Sequence, residues 1–586
     1  MQKIKRIPYG KGDFEAVNAD DRYYVDKTMF IPQLEEIDFN FLIRPRRFGK
    51  TLLLSTLQSY YDINKADRFE EFYRDTWILE NPTEEQGKYL ILYFNFSVVT
   101  KDKDLVQKNF NDYCIKQINQ FAIKYKNYLA ENIIDELNVC ETAHEKLQYM
   151  SVALADTKHK IYLMIDEYDN FTNTLLAEYG VSEYQKIARE EGCFKQFFTT
   201  LKGLASGSGS ALARMFITGV SPVTMDDVTS GFNIGSNISV NEIFNSLIGF
   251  TESEVADMID YYTNAGVFHL DKEECIGIMR QWYDNYKFSA RVEDTVFNTD
   301  MVLYFMKETL NKKYIPDDLI DENVRVDYGK LQHLITVNNK LNGNFSQLEQ
   351  IITDGCVVAD LKKSFPQENL ANLDNFISLL FYFGLLTIDG RFRGKTKFVV
   401  PNKVIEQLMN DFISCGYTRA CKVSLNTVEL SQRIGDMAYI GEWEPCIEMM
   451  GDFIKRSMTV RQMIEGERVA QALLVSLFHI GSPFIVDTEK EVNGGFFDIS
   501  LAPFHALYPD MEYGYLIEMK YLKMDEKYDD EIEQKLIDQA KVQLDKYSSD
   551  ENLKKQWQLK PSGHIKMKRL ILIFKGYDLV HYSEYK

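Results

Sequence analysis

Short apolar runs separated by longer stretches with helical spacing characterise the first 220 residues of the chain. The runs lie at residues 39–43, 88–97, 161–165 and 213–222. Each is a nearly continuous apolar segment, the pattern of a strand that is buried on both faces. Strands that alternate with helical stretches indicate α/β crossovers, so we predict a parallel sheet.

The sequence after the first run, Gly49-Lys50-Thr51, is typical of a phosphate-binding loop, because it follows a strand and opens a helix. Helical spacing continues in Leu53, Leu54, Leu57 and Tyr60. The general pattern is G-x-x-x-x-G-K-[ST], and Arg44 stands where its first glycine should be. We expect Lys50 to reach the β/γ-phosphates of ATP, Thr51 to offer its hydroxyl to Mg²⁺, and the amides from Phe48 onward to point at phosphate.

A second element supports the ATP site. The run at 161–165 ends in Asp166-Glu167. An aspartate at the tip of a neighbouring strand can hold the Mg²⁺ shell, and the following glutamate can polarise water. Thr218, near the end of the last run, stands where such ATPases place a polar group that senses the γ-phosphate.

The middle of the chain is rich in predicted helices, and Thr251 followed by Glu254 is a capping-box start. The aromatic stretch QWYDNYKF (281–288) has two interpretations, packing at a domain junction or stacking on bases. Residues 373–409 indicate helix, strand, turn, strand, helix, with the turn at Asp389-Gly390, and they resemble a winged-helix module.

The second predicted strand of that module carries a group of cations: Arg391, Arg393, Lys395 and Lys397. They could contact a phosphate backbone, or they could form a solvated hairpin face that keeps an exposed strand edge from pairing.

Near the C-terminus, Glu518-Met519-Lys520 lies in a predicted strand. Residues two apart on a strand face the same side, so Glu518 and Lys520 point together. Asp498 begins an earlier strand-like segment, and a hairpin could set it beside Glu518. Two carboxylates there can bind Mg²⁺ or Mn²⁺, which activates water, and Lys520 would neutralise charge on a phosphodiester.

Composition limits the function classes. The net charge is −20, which argues against a whole-surface nucleic-acid binder but allows a local basic groove. The eight cysteines form no C-x-x-C pair, which argues against zinc and disulfide frameworks and favours a reducing cytoplasm. The longest apolar run, residues 376–388, is too short to span a bilayer, so we expect no membrane association.

Residues 23–36 and 41–62, with LMIDEYDN, FITGVS, LIGFTESEV and WYDNYKF, resemble the AAA-ATPase-like family, whose bacterial members commonly carry a C-terminal PD-(D/E)XK nuclease-like domain. In that family the loop reads R-P-R-R-F-G-K-[ST], so Arg44 departs only from the general pattern. Arg46 and Arg47 would then add positive charge near phosphate or pair with surface acids.

The D…E-x-K arrangement resembles the PD-(D/E)XK nuclease family. That resemblance implies that Glu467 completes the metal shell and that Gln543 lies on the helix behind the active strand. Phe496 departs from the family, whose members often have arginine there. The family therefore implies catalysis by Glu467, Asp498, Glu518, Lys520 and Gln543 in addition to Glu167 of the ATPase.

The expected architecture is α/β with four domains: a P-loop AAA-ATPase-like domain (1–236), a helical lid (237–340), a winged-helix-like module (341–425) and a PD-(D/E)XK nuclease-like domain (426–586). The function expected is a cytoplasmic ATP-binding protein coupled to a metal-dependent nuclease acting on DNA. Two alternatives stay open at this point: a nucleotide-switched binding or scaffold protein that recognises without cleaving, and an ATPase acting on protein partners.

Overall fold

The computed structural model describes residues 3–100, 102–155, 157–179, 181–188, 192–205, 210–223, 235–324, 336–337, 340–341, 343–366, 369, 372–421, 424–459, 467–481, 483–488, 491–492, 495–550, 553, 557 and 565–586. The chain forms two compact units, Met1–Tyr314 with Val358–Pro401, and Ile315–Val357 with Asn402–Lys586. The predicted module 341–425 is divided between them, and the boundaries of the four predicted domains stay a prediction. Within the described ranges, no helix has the length and apolarity needed to cross a membrane.

A parallel sheet forms the centre of the first unit, as the apolar runs predict. Its strands are β1 (Phe39–Ile43), β2 (Tyr89–Asn95), β3 (Lys160–Asp166), β4 (Leu212–Gly219) and β5 (Ser236–Asn237). Their spatial order is β2-β3-β4-β1-β5, and every pairing is parallel. Because β4 lies between β1 and β3, the carboxyl ends of these three strands meet at one edge, where parallel sheets bind ligands.

Helices connect and cover these strands. They are α1 (Phe14–Ala19), α2 (Ile31–Glu35), α3 (Lys50–Tyr61), α4 (Phe69–Phe72), α5 (Trp77–Glu80), α6 (Val106–Lys124), α7 (Ile133–Val139), α8 (Ala143–Ala155), α9 (Asn170–Tyr179), α10 (Val181–Ala188) and α11 (Cys193–Ala205). After β5 come α12 (Glu252–Asn264), α13 (Lys272–Tyr283) and α14 (Thr299–Thr309). The predicted capping box is present at the start of α12.

Two short strands and a helix of the second unit follow along the chain: β6 (Thr336–Val337), β7 (Lys340–Leu341) and α15 (Gly343–Asp354). The chain then forms β8 (Cys356–Ala359), α16 (Leu373–Tyr382), β9 (Thr387–Phe392), β10 (Lys395–Val399) and α17 (Lys403–Cys421). The helix-strand-strand-helix order predicted for 373–409 is therefore confirmed, and β9 is an edge strand of the sheet β8-β10-β9.

The predicted position of the hairpin turn is wrong. Phe392 pairs with Lys395, so the turn is Arg393-Gly394, and Asp389-Gly390 lies inside β9. Gly390 has φ 77°, and the register of the hairpin shifts by one residue here. Asp-Gly therefore forms a β-bulge, because a positive φ suits a bulge as well as a tight turn.

The second unit is built on a mixed sheet in the order β11-β14-β15-β16-β17. Its strands and the short pair β12-β13 are β11 (Phe484–Thr488), β12 (Glu491–Val492), β13 (Gly495–Phe496), β14 (Ile499–Pro503), β15 (Tyr513–Leu522), β16 (Lys566–Lys575) and β17 (Asp578–Tyr585). The helices of this part are α18 (Thr427–Ile440), α19 (Glu444–Thr459), α20 (Glu467–Phe478) and α21 (Asp530–Ser548). One buried cluster joins Ala540 and Leu544 of α21 to Leu516 and Ile571 of the sheet, which fixes α21 beside β15.

Candidate active sites

The phosphate loop joins β1 to α3. Its left-handed residues are Arg47, with φ 66°, and Gly49, with φ 94°. Arg44 is not among the residues with positive φ. The loop therefore turns without a left-handed residue at position 44, and the backbone there does not require glycine.

The side chain of Arg44 is fully buried. Its guanidinium lies 3.5 Å from the centre of the Phe288 ring, and Nη2 donates to the carbonyl oxygen of Phe244 at 2.9 Å. Burial lowers the pKa of Arg44 well below its usual value. Since Phe288 and Tyr286 are buried as well, the structure supports packing rather than base stacking for QWYDNYKF.

Lys50 is held inside the loop. Nζ donates to the carbonyl oxygens of Arg44 at 3.0 Å and Pro45 at 2.7 Å. Desolvation by burial lowers the pKa of Lys50 to about 8, against the opposing charges of Glu167 and Asp166. An ammonium that is bound only by neutral carbonyls in a buried site favours an anionic ligand, because a phosphate would supply the missing negative charge.

The strand order brings Thr51, Asp166 and Thr218 into contact. Thr51 Oγ1 donates to Asp166 Oδ2 at 2.7 Å, and Thr218 Oγ1 donates to Asp166 Oδ1 at 2.5 Å. These residues lie on α3, β3 and β4, at the carboxyl edge of the sheet. Hydroxyl and carboxylate oxygens are the ligands that Mg²⁺ prefers, so Thr51 and Asp166 could hold Mg²⁺ together with nucleotide phosphates.

Glu167 follows Asp166 with a left-handed backbone, φ 49°. Burial raises the pKa of its carboxyl, with the nearby charge of Lys50 acting in the opposite direction. Asn170 Nδ2 donates to Glu167 Oε2. The side chain is thus oriented by Asn170, the first residue of α9.

Sequence reasoning missed Asp169. It is buried, and it accepts hydrogen bonds from the backbone amides of Val220 and Ser221, which follow β4. It also accepts from Asn173 Nδ2 at 2.7 Å. Asp169 therefore links the segment after β3 to the segment after β4. The sequence signal that could have identified Asp169 is its place as the third acid of D-E-Y-D.

The remaining predicted residues of the phosphate loop, Arg46, Arg47 and Phe48, have different partners. Arg47 forms an ion pair with Asp300 at 2.6 Å, and the carbonyl oxygen of Phe48 accepts from Gly249 at 3.1 Å. Both therefore bind the helical segment that follows β5. The positive charge of Arg46 instead acts on Lys50, whose pKa it lowers.

In the second unit, the register of β14 and β15 brings Asp498 and Glu518 together. Ile499 pairs with Ile517 and Ser500 with Leu516 in an antiparallel ladder. One further step places Asp498 opposite Glu518. Consistent with this, the Met519 amide donates to Asp498 Oδ2 at 2.6 Å.

Glu518 is buried, with 1% of its surface exposed, and Lys520 Nζ donates to its Oε1 at 2.7 Å. Its second oxygen, Oε2, has no hydrogen-bond partner among the described residues. Desolvation and the adjacent charge of Asp498 raise the pKa of Glu518 well above its usual value. Lys520 also donates to Gln543 Oε1 on α21, so four of the predicted residues meet here.

Glu467 is exposed at the first turn of α20. Its charge contributes to the raised pKa of Glu518, but the described residues contain no group of three His, Cys, Asp or Glu side chains placed to hold a metal ion. The carboxylates that the structure brings together are therefore a pair, Asp498 and Glu518. The side chain of Phe496 lies outside the described residues.

A residue that sequence reasoning missed supports the pair. Gln471, one turn after Glu467 on α20, is buried, and its Nε2 donates to the carbonyl oxygen of Asp498 at 3.3 Å. It fixes the backbone from which the carboxylate of Asp498 projects. The i, i+4 spacing from Glu467 was the available signal.

Divalent metal fits the carboxylate pair. A buried carboxylate oxygen without a partner carries a large desolvation cost, and a metal ion bound by Glu518 and Asp498 would remove it. Asp498 and Glu518 supply the hard oxygen ligands that Mg²⁺ and Mn²⁺ prefer.

Two family models match the parts of the chain that contain these sites. Residues 8–229 match the AAA-ATPase-like family, described as predicted AAA-ATPase, and residues 465–583 match the PD-(D/E)XK nuclease superfamily. The resemblance expected from the motifs is therefore confirmed for these two domains. The chain is also 28% identical, over 314 residues, to an uncharacterized protein in the vnfD 5' region of Azotobacter chroococcum mcd 1. That alignment covers 52% of each protein, so the chain spans about half the length of this relative.

Proposed function

We propose that this chain, which joins an AAA-ATPase-like domain to a PD-(D/E)XK nuclease superfamily domain, binds and hydrolyses ATP and cleaves phosphodiester bonds of DNA in a Mg²⁺-dependent reaction. The observation that carries the proposal is the buried Glu518 beside Asp498 and Lys520, with one carboxylate oxygen unpartnered in the described chain. Even beside the Lys520 ammonium, a buried carboxylate oxygen without a partner is unfavourable unless a second cation or a proton compensates it.

The residues of the C-terminal site have distinct roles in this proposal. Asp498 and Glu518 would hold the metal, with Mn²⁺ as a substitute for Mg²⁺, and Glu467 would complete its ligands. When bound, the metal lowers the pKa of a water and stabilises charge on the phosphate. Lys520 uses two of its three N–H groups on Glu518 and Gln543, which leaves one to donate to a phosphate oxygen or the attacking water.

At the phosphate loop, Lys50 exchanges the carbonyl oxygens of Arg44 and Pro45 for phosphate oxygens when ATP binds. Thr51 and Asp166 would hold Mg²⁺ beside the phosphates. Glu167 orients the attacking water, and Thr218 contacts the γ-phosphate.

A cleavage assay tests the nuclease. The purified chain is incubated with single-stranded or plasmid DNA, or with RNA, in Mg²⁺ or Mn²⁺, with and without ATP. Glu518→Ala should abolish cleavage by removing a ligand. Lys520→Ala should reduce the rate about 100- to 1000-fold, the usual effect of losing one preorganised electrostatic group, while metal binding measured by calorimetry persists.

Lys523→Ala is the matched control. Lys523 is exposed just beyond β15, and its amide is capped by Glu526, so this variant should cut at the wild-type rate. Identical cutting by wild type and all three variants would assign the activity to a contaminant. If the wild type cuts nothing with any metal, the nuclease proposal fails and a nucleotide-switched binding protein is the better description.

A further inference from the structure

The tip of the β9–β10 hairpin carries an unusual surface for so acidic a chain. Phe392 is 51% exposed and is flanked by the exposed arginines Arg391 and Arg393. Within the described residues neither arginine has an ion-pair partner, although the Arg393 guanidinium lies 5.1 Å from the Phe392 ring centre. The next two cations are paired, Lys397 with Asp389 at 2.7 Å and Lys395 with Asp360 at 3.9 Å.

Other basic residues that could form a groove are neutralised by acids. Lys566 pairs with Glu512 at 2.8 Å, Lys568 with Glu584 at 2.8 Å, and Arg569 with Asp545 at 2.6 Å. These three cations of β16 are therefore each paired with an acid. The hairpin tip, in contrast, combines two available guanidinium groups with an aromatic ring.

The backbone near this tip departs from a regular hairpin at two places. The bulge at Asp389-Gly390 increases the local twist of β9 just before the tip. The turn residues Arg393 and Gly394 both have positive φ, 50° and 86°, the conformation of a type I′ turn, in which asparagine or glycine is preferred at both positions. Arginine is disfavoured at the first of these positions by the turn conformation. Its charge therefore explains its presence better than its fit to the turn does.

The base of the hairpin is firmly held within its own unit. Thr387 Oγ1 accepts from the Lys287 amide at 2.7 Å. Phe381 of α16 packs against Phe398 of β10 at 5.8 Å and against Phe288 at 6.2 Å between ring centres. The Arg44 guanidinium contacts the same Phe288 ring. The hairpin therefore packs against the segment that also contacts the phosphate loop. A stacking platform needs such support, because a ring that moves freely loses entropy on binding.

We infer that this tip binds single-stranded nucleic acid, with Phe392 stacked on a base and Arg391 and Arg393 contacting adjacent phosphates. An exposed ring can stack only on a base whose face is open, which a duplex hides. The inference rests on the proposed function only in taking nucleic acid as the substrate class, and it concerns binding, not cleavage.

The test is fluorescence anisotropy of a labelled oligothymidine with the full chain carrying Glu518→Ala, in EDTA, so that no strand is cut. Phe392→Ala should weaken binding roughly 5- to 150-fold, the usual range for one stacked base. Arg393→Asn should also weaken it, and should lower the slope of log K against log salt by about 0.7, the value for one phosphate contact on a single strand. Because asparagine suits the turn, the melting temperature of Arg393→Asn should be unchanged or higher, which separates lost contact from misfolding.

Arg74→Asn is the matched control, since Arg74 is a 79% exposed arginine of the same unit on a different element. It should bind like the parent protein. Unchanged affinity and salt slope in Phe392→Ala and Arg393→Asn would overturn the inference, as would equal weakening of single-stranded and duplex DNA by Phe392→Ala. A wild type that binds through the tip yet cuts nothing supports the inference while the nuclease proposal fails.

Discussion

Arg44 stands in the phosphate loop, but its side chain packs in a buried site outside the loop. Its backbone adopts no left-handed conformation, and its side chain fills a buried site between Phe288 and the carbonyl group of Phe244. Glycine at this position would restore the general phosphate-loop pattern, but it would also leave a cavity of nearly a whole arginine side chain.

We therefore expect Arg44→Gly to destabilise the first unit, by about 2–5 kcal/mol, the usual cost of emptying a buried large side chain. Arg44→Met keeps most of the volume and removes the cost of a buried cation, so its effect should be less than half as large. Urea unfolding measures both variants. An Arg44→Gly protein as stable as the wild type would show that the buried contacts contribute nothing.

Lys50 gives a second prediction at this scale, from the direction of its pKa shift. The free protein holds Lys50 with a pKa of about 8, so a growing fraction is neutral as the pH rises through 8. Phosphate stabilises the charged form and raises the pKa again. ATP binding at pH 8.5 should therefore take up a proton, and affinity should fall between about pH 7.5 and 9.

Calorimetry in buffers of different ionisation enthalpy measures this uptake. Lys50→Ala is the control, because it should lose several kcal/mol of ATP affinity while remaining folded, and any residual binding should show no uptake. Proton release, or uptake that persists in Lys50→Ala, would contradict the assignment of the shift to Lys50.

At the scale of elements, the start of α12 combines capping with a long-range ion pair. Thr251 Oγ1 accepts from the Glu254 amide at 3.3 Å, and the Glu254 carboxylate accepts from the Thr251 amide at 2.8 Å. Lys27 Nζ donates to both oxygens of Glu254 at 2.7 Å. The capping box thus also positions the carboxylate that holds the N-terminal segment.

Thr251→Ala should therefore destabilise the first unit by about 1 kcal/mol, the usual loss for an N-cap. Thr263→Ala is the matched control, since Thr263 is exposed in the last turn of the same helix and alanine is the better helix former. The urea midpoint of Thr251→Ala should therefore be lower than that of Thr263→Ala. Equal midpoints would mean that the cap contributes nothing measurable.

At the scale of the whole molecule, the division into two units allows a prediction of which unit ATP stabilises. A ligand that binds only the native state stabilises it by RT ln(1 + [L]/Kd), about 2.7 kcal/mol at 100 times Kd. Hydrogen exchange with ATP and Mg²⁺ should therefore show added protection in Met1–Tyr314, first in β1, β3 and α3. Lys50→Ala should remove it, and Glu518→Ala should leave it intact. Protection centred on Asn402–Lys586 would contradict the position of the ATP site.

Much of both sites can be predicted from sequence because their signals are local. A strand followed by Gly49-Lys50-Thr51, and a strand ending in Asp166, need only short-range periodicity to be recognised. The same holds for Glu518 and Lys520, which face one side because side chains alternate along β15. Asp389-Gly390 marks the limit of local signals, since the same pair suits a turn and a bulge, and only the pairing of Phe392 with Lys395 decided between them.

The sequence by itself indicated the main strands and helices, the two domain families and the residue types at the strand ends, although it misplaced the β9–β10 turn. Only the tertiary structure decided which residues come into contact. The strand order brings Thr218 to Asp166, and the β14–β15 register places Asp498 beside Glu518. It also buried Arg44 against Phe288 and revealed Asp169 and Gln471 as supports. The physical reason is that these contacts join residues far apart in the chain, and sheet order and packing determine them, whereas periodicity reports only which face a side chain occupies.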